Sequence, residues 1–398
     1  TFRRKKDAEE LSCGFEEILV LARLVKYCRL DMVPDEPFLN RDIMNILCKY
    51  ITGFIFLLGG VQNATSQDID DLDFSQMIQP VDTSTFIKDS QWYNWCNSVV
   101  QGEDGKYHLF YARFPKSKGF SSWLVYSEIV HAVGEKVSGP YRYYENVLHP
   151  RKDKWDALNA HNVKIKRLGN YYYLYYISTN WHGISVPLSD SLLLEVSKKG
   201  FSHPLWMAIR NNQRSGVAIS SSVYGPWKRL DHPIVEPHGP IKNVTVNPDV
   251  TEGHDGKYHI IVKGDDIKEN RYARLIQAVG IAETPVGPFQ LFNESAFDDI
   301  PTEDACIWFD KKRNRYYAIF HALGQNFIGL ITSTDGRNWT KAKNFVVCKK
   351  ELKLKNGSIL KLDRMERPSV YIEKGELKML SFAAMKGDES FIVFLPVK

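Results

Sequence analysis

One short pattern is written five times along this chain: an alternating apolar stretch, a turn centred on Gly or Asn, and a second stretch rich in Tyr, Leu and Ile. The plainest copy runs from Leu158 to Ser178. Val163 and Ile165 alternate there with Lys164 and Lys166, the period of two of a half-buried strand. Leu168-Gly169-Asn170 makes the turn, because Gly and Asn accept positive φ at little cost. Tyr171 to Ser178 then reads as the returning strand of a β-hairpin. The other copies turn at Gly105, Gly256, Asn314 and Gly375. The unit therefore recurs roughly every 60 to 90 residues, longer than the about 40 to 50 of propeller blades with short loops.

A second marker falls between these hairpins. Ser138-Gly139-Pro140-Tyr141, Tyr224-Gly225-Pro226-Trp227 and Val286-Gly287-Pro288-Phe289 each separate two short apolar strands, and Asp335-Gly336-Arg337-Asn338-Trp339 holds the matching place in the fourth unit. Each unit is then a hairpin, a third strand, a turn and an outer strand. Five such units predict an all-β, five-bladed β-propeller of four-stranded antiparallel blades over residues 81–398, whose ring protects its sheet edges. The alternative is a β-sandwich with chance similarity between segments.

Composition supports a large core and excludes little else. Of 398 residues 43% are hydrophobic, and the net charge of +5 is mild and spread out beyond Arg3-Arg4-Lys5-Lys6. With no basic stripe and no recognised motif, nucleic acid is not an expected partner. Residues 44–66 resemble a secretory signal: Lys49 supplies the positive region, Tyr50 to Gly60 the apolar one, and Ala64-Thr65-Ser66 small residues for cleavage before Gln67. The run is short and interrupted by glycine, so no membrane span is expected in the mature chain; the alternative is a buried helix. On this reading Met44 is the start, residues 1–43 are a non-native, disordered or helical extension, and the protein is secreted or periplasmic. Residues 67–80 read as an acidic linker. Cys96, Cys306 and Cys348 are odd in number and lack metal-ligand spacing, so buried free thiols are expected and neither metal nor cofactor is.

Propeller geometry locates the chemistry. The first strand of every blade lines the central channel, and the strand starts open on one face. Trp95 and Asn97, Asn159, His161 and Asn162, Asn247 and Asp249, Glu303 and Asp304, and Glu366 and Arg367 thus converge from distant parts of the chain. Amides and carboxylates take sugar hydroxyls in pairs, and an aromatic face stacks on a pyranose. Two carboxyls flanking a glycosidic bond are the usual requirement for its hydrolysis. Asp249, Glu303 and Asp304 are the candidate acids, and His161 is a candidate proton donor or orienter. Each also has a plain structural reading: His161 as a satisfied core residue, Glu366-Arg367 as an ion pair, Asp249 as a turn cap.

The strand starts, the Asp-Gly-Lys-Tyr turns (Asp104 to Tyr107, Asp255 to Tyr258) and the Gly-Pro-Trp turn resemble the five-bladed propeller glycoside hydrolases of families 43, 62 and 117, over about residues 80 to 398. The resemblance implies an exo-acting or debranching hydrolase of plant or algal polysaccharide. It implies typically inverting chemistry, with an Asp base in the first blade, an Asp modulator in the second and a Glu acid in the third. This chain departs from that pattern, reading Asn97-Ser98, His161-Asn162 and Asn247-Pro248-Asp249 at those places. His161-Asn162 resembles the second-blade His-Asn of family 117. The resulting expectation is a glycoside hydrolase acting on polysaccharide-derived oligosaccharides. Asp249 and one of Glu303 or Asp304 would be its acid/base pair, and His161 would assist. Trp95, Asn97, Asn162, Glu366 and Arg367 would hold the sugar. Arg367 would favour an anionic one, and Phe114 to Trp123 would wall the pocket. The alternative is a carbohydrate-binding propeller without catalysis.

Overall fold

A computed structural model describes residues 71–268 and 274–398. Its first strand, β1 (Ile87–Lys88), is the outer edge of the last blade, antiparallel to β22 (Glu389–Pro396). The ring therefore closes by pairing the two ends of the described chain in one sheet. This corrects the expectation that every unit supplies its own fourth strand.

The first blade is β2 (Trp92–Gln101), β3 (Tyr107–Pro115), β4 (Glu128–Gly134) and β5 (Tyr141–Val147), in that order from the axis outward. The second is β6 (His161–Leu168), β7 (Tyr171–Ser178), β8 (Arg214–Ser220) and β9 (Lys228–Arg229). The third is β10 (Ile241–Glu252), β11 (Tyr258–Asp266), β12 (Leu275–Ala282) and β13 (Gln290–Phe297). The fourth is β14 (Thr302–Asp310), β15 (Arg315–Ala322), β16 (Phe327–Ser333) and β17 (Thr340–Lys349). A small hairpin, β18 (Glu351–Lys353) and β19 (Ile359–Lys361), precedes the fifth blade of β20 (Arg364–Glu373), β21 (Glu376–Lys386), β22 and β1. All five residues taken as turn markers, Gly105, Gly169, Gly256, Asn314 and Gly375, have positive φ between the first and second strands of their blades. The Gly-Pro turns and Asp335-Gly336 lie between third and fourth strands.

Alternation along each strand presents one side chain to the blade before and the next to the blade after. The core is accordingly a set of apolar seams between blades. Phe110, Val163 and Leu174 fill the first seam, Val217, Ile260 and Val262 the second, and Ile261, Ile307 and Phe320 the third. Ile319, Leu380 and Val393 fill the fourth, and Val99, Leu109 and Phe394 close the circle. Each such side chain contributes about 1.5–3 kcal/mol by leaving water.

The described part of the stretch read as a linker, residues 71–80, is packed down. Leu72 and Phe74 are buried in the seam of the last two blades, and Gln79 N–H donates to the Pro396 carbonyl. The candidate export signal and residues 1–43 lie outside the described residues. Among the described residues no helix is long and apolar enough to cross a membrane.

On the face where the inner strands begin, the blades differ. The connection β7–β8 spans residues 179–213 and carries helices Asp190–Lys199 and Trp206–Asn211. Ser189 caps the first, its Oγ accepting from Leu192 N–H. Leu193, Val196, Trp206 and Ile209 pack on Leu124 and Val125 of the β3–β4 connection. Residues 323–326 and 387–388 make the short connections of the fourth and fifth blades. One side of the mouth is built up and the other is low.

Candidate functional site

Every inner strand breaks register at the same place. The breaks fall between Trp95 and Asn97, His161 and Lys164, Val246 and Asp249, Glu303 and Cys306, and Glu366 and Ser369. Each is a β-bulge with one extra residue. That residue has positive φ in all five: Cys96 at 42°, Asn162 at 50°, Asn247 at 56°, Asp304 at 62° and Arg367 at 57°. Asn and Asp tolerate this backbone best, whereas Cys and Arg hold it only where surrounding contacts demand it.

Those contacts form a belt around the axis. The side-chain amides of Asn162 and Asn247 lie 2.7 Å apart, and Asn247 Nδ2 donates to Asp304 Oδ1 at 2.6 Å. Arg367 Nη1 sits 2.5 Å from the same Asp304 oxygen, and the Asn162 amide lies 2.9 Å from Arg367 Nη1 and 2.9 Å from His161 Nε2. Cys96 Sγ donates to the Val163 carbonyl at 3.3 Å. Below the belt the channel is plugged. Lys164 Nζ reaches across the axis to the Pro368 carbonyl. Lys166 Nζ pairs with Asp249 Oδ1 at 2.9 Å, and Asp249 Oδ2 accepts from Ile307 N–H at 2.9 Å. The belt residues surround a cavity of about 10 Å³, room for one water. The channel is thus a closed-bottomed cup.

One residue above the belt stand Trp95, His161, Val246, Glu303 and Glu366, and three of these ionise. The carboxyls of Glu303, Asp304 and Glu366 and the ring of His321 each bring one atom within 4.8 Å of the others. Burial pushes the Glu303 carboxyl up. Lys263 Nζ at 3.0 Å, the His321 ring 3.8 Å away and the charge of Arg367 outweigh it and hold Glu303 well below the usual range. Glu366 moves the opposite way. Burial raises it, and the charges of Glu303 and Asp304 raise it further against His321 and Arg364. His161 is held well below its ordinary value by burial and then by Arg367 and Lys263, so it is neutral. Its Nδ1 is 2.7 Å from Ser127 Oγ, and its ring stacks on Trp123.

Glu303, Asp304, His321 and Glu366 also form a donor set that could surround a divalent cation. Lys263 and Arg367 already compensate two of those carboxylates. Three polar atoms of the cluster are buried with no hydrogen-bond partner: Asp304 Oδ2, Arg367 Nε and His321 Nδ1. Unpaired buried groups of this kind are costly and point to something that completes them.

Of the residues expected at the mouth, His161, Asn162, Glu303, Asp304, Glu366 and Arg367 come together. Asp249 does not, because it lies beyond the bulge, fully buried and bound to Lys166. Asn97 is also past the bulge and fully buried, with neither amide atom paired. Trp95 is only 3% exposed, packed on Phe120 and Phe114, so it offers no face to a sugar. Within Phe114 to Trp123, the segment expected to wall the pocket, Phe120 and Trp123 are partly exposed. Lys263, His321, Lys350 and Arg364 were not anticipated. His321 pairs directly with Glu303 across the hairpin, a relation that counting outward from the Asn314 turn would have found.

No family model matches the sequence, and no curated protein does. Solved structures do. A glycoside hydrolase superposes with a TM-score of 0.55 at 15% identity, over 84% of this chain and 95% of that one. A thermostable family-43 glycoside hydrolase gives 0.50 at 14%, over 81% and 95%. A family 117 glycoside hydrolase of the marine bacterium Zobellia galactanivorans gives 0.50 at 14%, over 80% and 89%. At such identities the likeness is one of fold: the chain has the five-bladed propeller of these glycoside hydrolases.

Proposed function

We propose that the protein is a glycoside hydrolase that cleaves an oligosaccharide seated in the cup, with Glu366 as proton donor and Glu303 as the ionised carboxylate beside it. What supports this is the opposed surroundings of two neighbouring glutamates, Glu303 paired with Lys263 and pushed down, Glu366 buried and pushed up, since paired carboxyls whose surroundings drive them apart divide into acid and base. Asp249, favoured by the sequence, gives up its role to Glu366.

The carboxyl oxygens approach within 4.8 Å. That fits the separation of about 5–5.5 Å of retaining enzymes better than the about 6.5–9.5 Å of inverting ones. In the step proposed, Glu366 gives its proton to the glycosidic oxygen as the bond to the anomeric carbon breaks. Glu303 forms an ester with that carbon. Glu366, now ionised, takes a proton from the water that cleaves the ester. Lys263 keeps Glu303 charged for the attack.

The test is turnover of the full chain, E303Q and E366Q on a panel of oligosaccharides and aryl glycosides. Both substitutions are expected to lower kcat by about 10²–10⁴-fold, E366Q recovering on aryl glycosides whose leaving group needs no proton. Undiminished turnover in either variant would refute the assignment. Binding by the parent with no cleavage of any panel member would leave a carbohydrate-binding propeller instead.

A further inference from the structure

We propose that the saccharide carries an anionic substituent, a carboxylate or a sulfate ester, and that Lys350 and Arg364 at the low side of the mouth hold it. This rests on the hydrolase reading above and names its substrate class.

The charges of the cup do not balance. Glu303, Asp304 and Glu366 face four cations: Lys263, Arg367, Lys350 and Arg364. Lys263 is bound to Glu303 and Arg367 to Asp304. The remaining two lack a carboxylate within hydrogen-bond reach among the described residues. Lys350 Nζ meets the His321 ring at 3.2 Å, and Arg364 Nε is 3.7 Å from Glu366 Oε1. Lys263 and Arg367 take up Glu303 and Asp304, so Glu366 alone faces both Lys350 and Arg364 and at least one positive charge stands uncompensated beside it.

Lys350 Nζ lies 3.2 Å from His321 Nε2, and His321 Nδ1 faces Glu303 at 3.8 Å. Lys350 is partly buried, and burial together with the neighbouring charge of Arg364 pushes it below its ordinary value against the pull of Glu366. An arriving anion would reverse that. Arg364 opens β20 two residues before Glu366, with its guanidinium laid over the Phe120 ring at 4.7 Å and 46% of its side chain exposed. Stacking holds the planar fork in place and leaves its edge free for the paired oxygens of a carboxylate or sulfate. Arg367, the cation first favoured for this task, is 11% exposed and engaged by Asp304.

Binding separates this proposal from the catalytic one. The full-length E366Q chain, with a neutral stand-in for the protonated acid, is titrated calorimetrically with three sets of oligosaccharides matched in length: uronate, sulfated and neutral. Tighter binding of an anionic set than the neutral set, by about tenfold or more, is expected. The preference should shrink with added salt and vanish in E366Q/K350A/R364A. Which anionic set binds identifies the substituent. Equal or tighter binding of the neutral set, or a preference that survives the double substitution or high salt, overturns the proposal and leaves the hydrolase reading standing. Absence of binding by every set overturns both.

Discussion

Two rings of residues, one position apart on the same five strands, behave in opposite ways. The lower ring, Cys96, Asn162, Asn247, Asp304 and Arg367, is joined from blade to blade. The upper ring is apolar at Trp95 and Val246 but carries a neutral imidazole at His161 and two glutamates shifted in opposite directions, Glu303 down beside Lys263 and Glu366 up by burial. One bulge produces both. Its extra residue turns inward to close the channel, and the residue before it is left at the floor of the cup. Closing the ring and equipping the site are therefore separate duties of adjacent residues, and substitution should separate them.

The largest effect on stability is expected from D304N. It leaves the Arg367 guanidinium buried without its counter-charge, and breaking such a pair costs about 3–5 kcal/mol. Urea unfolding followed by tryptophan fluorescence would show this as a lowered midpoint at unchanged slope. E303Q in the same experiment should cost less, because the Glu303 carboxylate that pairs with Lys263 is 17% exposed against 1% for Asp304. Equal losses would mean that the two rings are one structural unit.

D249N sharpens the comparison from below. Asp249 anchors Lys166 and the Ile307 N–H under the belt, so its loss should cost about 2–3 kcal/mol, the pair being less enclosed on the lysine side. kcat on any cleaved substrate should stay within about threefold, since removal of a general acid or base typically costs 10²–10⁴. A hundredfold fall in kcat with an unchanged unfolding midpoint would restore Asp249 to the chemistry.

The fold was legible because its determinants are local. Turn residues at Gly105, Gly169, Gly256, Asn314 and Gly375 and strands of period two each act within a few residues, and five repeats left little room for another architecture. The helix Asp190–Lys199 carries its own local signals, Ser189 as cap and the spacing of Leu192, Leu193 and Val196, but it is a short insertion between two strands of a β-rich chain. The outer strand of the last blade was not, since nothing in Ile87-Lys88 indicates a partner some 300 residues away. At the site, the convergence of strand starts was readable to within about two residues. One inserted residue decided the rest, for it separates Asp304 in the belt from Glu303 in the cup and carries Asp249 below both. A bulge depends on contacts across the ring that no single strand encodes.

Placing Glu303 and Glu366 on opposite sides of the usual glutamate range is the proposition on which the chemistry stands, and it can be measured without a substrate. Titration of the side-chain carboxyl carbons by NMR, with E303Q and E366Q to assign the two signals, reports it directly. Glu303 should stay ionised as pH falls through the ordinary glutamate range, taking up its proton only below it. Glu366 should keep its proton as pH rises through that range and release it only above. E303Q should bring Glu366 back down, because a neighbouring negative charge is gone. Two carboxyls titrating together near 4.3, the value of an unperturbed glutamate, would contradict the division of roles and leave a closed ring without an acid/base pair at its mouth.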